Sequence, residues 1–185
     1  MSDYGQTASS EAGYSRIMTA STLTTPDFLV RISSPIGRIE LTADEQAVLS
    51  LGIERAGELP HDSMPEKPNA VLTEAARQLT EYFAGTRRQF DVPVRLSGTP
   101  FQMAVWQQLT RLGWGEFVSY GELGLAAGRP GSGRAVGGAV GANPIPIIVG
   151  CHRVLASNQK ITGYSGGNGI PTKVWLLDHE SIGHL

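Results

Sequence analysis

The chain has 185 residues, 41% of them hydrophobic and 17% charged, with a formal net charge of −2. That length gives one domain, or two small ones sharing an interface, and the composition excludes global disorder. The single cysteine, Cys151, excludes an internal disulfide and fits a reducing, intracellular setting; there is no Cys-x-x-Cys pair or Cys/His cluster for a metal, and no apolar stretch that spans a membrane. Residues 1–26 are rich in Ser, Thr and Ala and lack the apolar core of a signal peptide. They read as a flexible leader, or in part as sequence upstream of an alternative start at Met18. Residues 1–97 carry a charge of −4 and residues 98–185 a charge of +2, so the mildly positive half holds the cysteine. A difference that small does not by itself announce nucleic acid.

Residues 28–53 contain short β-rich runs broken by Ser-Pro-Ile-Gly, which predicts strand, turn, strand, strand. Residues 54–68 have three prolines and no periodicity, as a surface loop would. An amphipathic helix is expected over 69–85, with Leu72, Ala75, Leu79 and Tyr82 on its apolar face and Gly85 closing it. Residues 89–96 alternate and read as an edge strand that tolerates Pro93. No chemistry is visible in this first half. Near Ser97-Gly98 the pattern changes. Thr99, Pro100 and Gln102 form a capping box ahead of a helix, and Ser119 with Glu122 opens another that ends at Gly128. After a tight turn, Ser132 is placed to cap a third helix, 133–142, which stops at Asn143-Pro144. The last two helices form a helix-turn-helix pattern.

That third helix holds Gly133, Gly137, Gly138 and Gly141, each costing roughly 1 kcal/mol relative to Ala. Two explanations stand open: close packing against another backbone, or close approach of a ligand as large as a nucleic-acid backbone. Arg134 is its only charge and a candidate DNA contact. The run 144–150 is an apolar strand or strut leading to Cys151, and 158–169 is a glycine-rich loop of the kind that folds over a site. A closing helix over 171–180 has Pro171 at its first position and an apolar stripe through Val174 and Leu177. A lone cysteine is most often a small buried hydrophobe. Here His152 and Arg153 follow it directly and could lower its pKa. Neighbours in an extended chain point apart, so a Cys–His pair needs a sharp turn or a water between them. Among nearby carboxylates, Glu180 is best placed to orient His152.

The segments SYGEL, GRAVGGAVGANPIPIIVGCHRV, GYSGG and KVWLLDHE closely resemble the O6-alkylguanine-DNA alkyltransferases over Phe101–Glu180. The first half is similar in outline, through SPIG and LTEYFAG. The resemblance implies an α/β protein: a small ribonuclease-H-like α+β domain over 27–97, then a helical domain of winged-helix type over 98–185. It implies repair of O6-alkylguanine, and of O4-alkylthymine, by one irreversible transfer to Cys151 after base flipping. In that scheme His152 takes the thiol proton through a water, Glu180 holds His152, and Asn143 braces the turn. Tyr120 donates to N3 of the base, and carbonyls of Cys151 and Val154 read its exocyclic amine. Tyr164 and Ser165 close over the base. Arg134 fills the vacated duplex space, and Ser132, Gly133, Ala135 and Gly138 line the minor groove. The implied partner is double-stranded DNA, bound by a monomer with cooperative binding along DNA left open. No metal or other cofactor is implied, and the setting is the bacterial cytoplasm or nucleoid.

The chain departs from the family pattern at Gly150, where proline is usual, and between Gly167 and Lys173, where it is longer. The first change predicts a less rigid turn and a gain of about 0.4–1 kcal/mol on Gly150→Pro. Two other classes fit less well. A non-catalytic binder of alkylated DNA would lack the cysteine. A thiol hydrolase would need a distal histidine, drawn from His61, His179 or His184.

Overall fold

The computed structural model describes residues 25–185, so nearly all of the expected leader lies outside the described residues. Strands β1 (Phe28–Ile32), β2 (Ile39–Ala43) and β3 (Val48–Ile53) form an antiparallel meander in that order. Val30 pairs with Leu41, and Leu41 with Leu51, which sets the alternation of apolar side chains across the sheet. Helix α1 (Ala70–Phe83) starts at Asn69, whose side chain accepts from Leu72 N. It packs on the face of β2 that presents Ile39, Leu41 and Ala43. The opposite face presents Glu40 to the 54–68 loop, so β2 is buried along its whole length.

Residues 89–96 are not a strand. They make one parallel bridge, in which Val48 N donates to Pro93 O and Arg95 N to Val48 O, both at 2.9 Å. Pro93 has no N–H to continue a ladder.

The second half contains α2 (Pro100–Leu109), β4 (Val118–Ser119), α3 (Tyr120–Ala126), α4 (Gly133–Gly141), a 3-10 turn (Cys151–Arg153), β5 (Val154–Leu155) and α5 (Ile170–His179). Both capping boxes form as the sequence suggests, at Thr99/Gln102 and at Ser119/Glu122. Ser132 holds the cap position of α4 without capping it; its hydroxyl donates to Arg129 O instead. Helices α3 and α4 approach closely at Gly124, where a Cβ would come within 3.0 Å of Arg129 O and 3.1 Å of Val136. Pro171 is the second residue of α5, not the first, and remains in the turn where its missing N–H costs nothing. The buried face of α5 is Thr172, Lys173, Leu176 and Leu177; Val174 and Trp175 are half-buried.

One hydrophobic core runs through both halves, from Ile39, Leu72 and Leu79 to Val105, Val136, Ile147 and Leu176. The seam is also hydrogen-bonded: Leu51 N of β3 donates to Pro144 O at 2.9 Å. Beside it, Tyr82 meets Trp114 and His179 edge-on, Phe83 and Phe90 pack on Tyr82, and Trp175 stacks on His179. Among the described residues no helix is long and apolar enough to cross a membrane.

Candidate active site

The 144–150 run is a strut rather than a strand, and it bends twice. Ile148 N donates to Pro146 O at 3.0 Å around Ile147, whose φ of +73° is a strained value for a β-branched residue. Full burial of the Ile147 side chain holds it there. Cys151 N then donates to Val149 O at 2.7 Å around Gly150, at φ −69° and ψ 57°, an inverse γ-turn. Asn143 braces this bend: its Nδ2 donates to Val149 O at 2.8 Å and its Oδ1 accepts from Ile145 N at 3.1 Å. The chain passes straight into the 3-10 turn, which places Cys151, His152 and Arg153 on different sides.

All three side chains are buried, and those of His152 and Arg153 converge on Glu180 at the C-cap of α5. Glu180 is itself fully buried. Its Oε1 accepts from His152 Nε2 at 2.9 Å, Arg153 Nη2 at 2.8 Å and Tyr82 Oη at 2.8 Å. Its Oε2 accepts from Arg153 Nε at 2.7 Å, completing a bidentate fork. The far side of the Arg153 guanidinium donates to Leu112 O. Burial would raise the Glu180 pKa, but the bonds from His152 and Arg153 outweigh it and hold the carboxyl down at about 2. A carboxylate only accepts, so His152 carries its proton on Nε2 and presents the lone pair of Nδ1. Burial also holds the imidazole neutral by pushing its pKa down, against the pull of Glu180. His152 Nδ1 is buried with no hydrogen-bond partner among the described residues.

Cys151 lies in the wall of a cavity of about 500 Å³. Tyr120, Arg134, Val140, Tyr164, Ser165 and Lys173 line it as well. Burial pushes the thiol pKa up, and the Asn143 amide, the Tyr164 hydroxyl and the Lys173 ammonium pull it back. The Tyr164 hydroxyl is buried without a well-formed hydrogen bond, and the thiol is its main polar neighbour. Lys173 is 1% exposed, and burial pushes its pKa down to about 8. Its Nζ donates to Val154 O at 2.6 Å and Gly163 O at 3.3 Å.

Most residues picked from the sequence meet here. Gly133, Arg134, Ala135 and Gly138 form the exposed face of α4 beside the cavity mouth, with Ser132 half-buried at its start. A Cβ at Gly133, Gly138 or Gly141 would meet nothing within 4 Å, so packing inside the protein does not explain those glycines. The three distal histidines are elsewhere: His61 on Glu40, His179 on Tyr82 O and His184 on Asp178. That leaves a thiol hydrolase without its second base. Sequence reasoning missed Tyr82, Arg153 as a fork on Glu180, and Lys173. Tyr82 reads as core because it sits on the apolar stripe of α1. The only signal was that a buried tyrosine hydroxyl needs a partner.

A ribonuclease-like sheet-and-helix unit joined to a helix-turn-helix unit with a buried cysteine defines the class. Residues 31–96 match the ribonuclease-like domain of 6-O-methylguanine DNA methyltransferase, and residues 100–182 match its DNA binding domain. The constitutive methylated-DNA–protein-cysteine methyltransferase of Bacillus subtilis is 37% identical over 164 residues, covering 85% of this chain and 98% of that one. The Mycobacterium tuberculosis protein of that name is 44% identical over 150 residues, covering 80% of this chain and 89% of its own. Its structure in complex with DNA superimposes with a TM-score of 0.74 at 42% identity, covering 83% of this chain and 92% of that one. The chain therefore belongs to the 6-O-methylguanine DNA methyltransferase family, the methylated-DNA–protein-cysteine methyltransferases.

Proposed function

We propose that this protein repairs DNA by moving an alkyl group from O6 of guanine, or O4 of thymine, to Cys151. The observation that carries this reading is the geometry behind the thiol. A buried neutral histidine, fixed on Nε2 by an ionised glutamate, keeps a buried Nδ1 without a partner among the described residues, on the residue that follows Cys151 in the chain. An alkyl group on O6 is out of reach in stacked DNA, so the base flips into the cavity at a cost of about a few kcal/mol. His152 takes the Cys151 proton through a bridging water, Glu180 steadies the imidazolium, and Lys173 favours the thiolate. Sulfur attacks the alkyl carbon; the new S–C bond forms as the C–O6 bond breaks, and its electron pair stays on guanine. Tyr120 donates to N3 and the Ser165 amide faces O6, so the leaving base does not depart as a bare anion.

The cavity mouth and the bare α4 face support the DNA assignment. Arg134, exposed on α4 at the cavity, would replace the flipped base, and the open space over the α4 glycines leaves room for a minor-groove backbone. Carbonyls of Cys151 and Val154 read the exocyclic amine; Val154 O keeps one lone pair beside its bond from Lys173. Residues 27–97 act as scaffold and 98–185 as DNA-binding acceptor domain, a monomer needing no cofactor, in the cytoplasm. The test incubates the protein with a duplex holding one O6-methylguanine and maps the alkylated peptide. One methyl per protein on Cys151 is expected. Repeated turnover, or binding without modification, overturns the proposal.

A further inference from the structure

Thr162 stands at the mouth of the cavity on the glycine-rich loop, and none of the chemistry above uses it. Its hydroxyl donates to the phenol oxygen of Tyr120 at 3.3 Å. Three residues on, Ser165 Oγ donates to Gly141 O at 2.9 Å. The loop is therefore fixed at both sides of the mouth, to α3 through Thr162 and to the end of α4 through Ser165. The Tyr120 backbone is set by the Ser119/Glu122 cap, and its ring edge lies against α4 at Gly137, 3.9 Å from where a Cβ would be. Neither constraint sets the direction of the phenol proton. A phenol O–H has two in-plane positions, and only one of them faces the base. Were Tyr120 to donate to Thr162, the base would receive no proton from it.

We propose that Thr162 is a positioning residue for alkyl transfer: by donating to Tyr120 it turns the phenol proton into the cavity, toward the ring nitrogen of the leaving base. This rests on the reading of Tyr120 as the donor to N3. A hydroxyl that accepts a hydrogen bond is also a stronger donor, so the contact acts on proton strength as well as direction. At 3.3 Å it is long for a hydroxyl pair, as catalytic contacts often are before substrate tightens them. The β-branched threonine holds its hydroxyl in few rotamers, which suits a residue on an exposed loop.

The experiment measures the single-turnover rate of Cys151 alkylation with protein in excess over an O6-methylguanine duplex. Affinity for an unmodified duplex is measured in parallel. Thr162→Val keeps the shape and removes the donor. It is expected to slow transfer about 2–10-fold, the worth of one neutral hydrogen bond, with affinity unchanged within about twofold. Thr162→Ser restores the wild-type rate. In a Tyr120→Phe background, Thr162→Val has no further effect, because its target is gone. A wild-type rate for Thr162→Val overturns the proposal, and so does an equal slowing in the Tyr120→Phe background, which would show that the loop acts by another route. If Tyr120→Phe alone reacts at the wild-type rate, the assignment of Tyr120 fails first and this proposal fails with it.

Discussion

Glu40 and Glu180 are both buried carboxylates held by one histidine and one arginine, one in each half of the molecule. In the first half, His61 Nδ1 lies 2.7 Å from Glu40 Oε1, and Arg31 Nε donates to Oε2 at 3.1 Å. Arg31 also donates to the carbonyls of His61 and Met64. The His61 and Met64 contacts tie the 54–68 loop to the sheet, and the Arg31–Glu40 pair joins β1 to β2 within it. In the second half the same three side-chain types meet, with a bidentate arginine fork and Tyr82 added, and the histidine is wholly buried. Its second nitrogen has no protein partner and belongs to the residue next to the only cysteine. The difference teaches that a buried Glu–His–Arg cluster is a fastening until one histidine nitrogen is left free beside a nucleophile.

The strongest way to break this comparison is to change each histidine. His152→Gln is expected to slow alkyl transfer by about 10²–10⁴-fold, the usual loss on removing a general base. His61→Gln should leave the transfer rate as it is; a matching loss would mean the two clusters are not distinct in kind. Next come the carboxylates. Glu180→Gln strands the Arg153 charge in the interior and should cost about 3–5 kcal/mol in urea unfolding. Arg31 is partly exposed, so Glu40→Gln should cost only about 1–3 kcal/mol.

Acid sharpens the contrast further. The folded pKa values of His152 and Glu180 both lie below their ordinary values. For such groups the unfolded chain binds protons first, so stability is present above the unfolded pKa and is lost as pH falls. His152 begins to weaken the fold below about pH 6.5, and Glu180 follows between 4.5 and about 2, contributing about 3 kcal/mol at most. Melting temperatures measured from pH 7 to pH 3 should fall throughout that range. A Glu180→Gln profile that flattens only below about pH 4.5 would assign the lower part to this carboxylate. Tyr82→Phe removes one of four bonds to Glu180 and should cost about 1 kcal/mol, with a smaller loss of rate than His152→Gln.

The smallest effect is at Gly150. Its φ of −69° suits proline, and this favours the substitution, as the sequence suggests. But a Cβ there would lie 3.0 Å from Arg153 Cδ and Nη1. Arg153 is pinned by Glu180 on one side and Leu112 on the other, so it yields little. The expected gain of Gly150→Pro therefore falls below about 0.5 kcal/mol, a shift of under about 2 °C by calorimetry.

Much of the second half could be read from the chain because its signals are local. Caps at Thr99 and Ser119, the α4 glycines and the Cys-His-Arg triplet each occupy a few adjacent residues. The meander and α1 were legible for the same reason, through alternation and helical spacing. What escaped was long-range. Residues 89–96 alternate like a strand, yet Pro93 and the lack of further partners beyond Val48 leave one bridge. The bend at Ile147 escaped because a β-branched residue is the last type expected at positive φ. Lys173 reads as a surface charge near the start of a helix, and only the fold shows that its ammonium ends on two buried carbonyls.

The bond from Tyr82 to Glu180 joins side chains 98 positions apart. It cannot form until α5 has been synthesised and has docked against the end of α1, and a contact of that span closes late in folding. Until then Glu180 lacks one of its donors, while His152 and Arg153, in its own half, can already reach it. The carboxylate behind His152 thus gains its full set of four bonds only when the two halves close on each other.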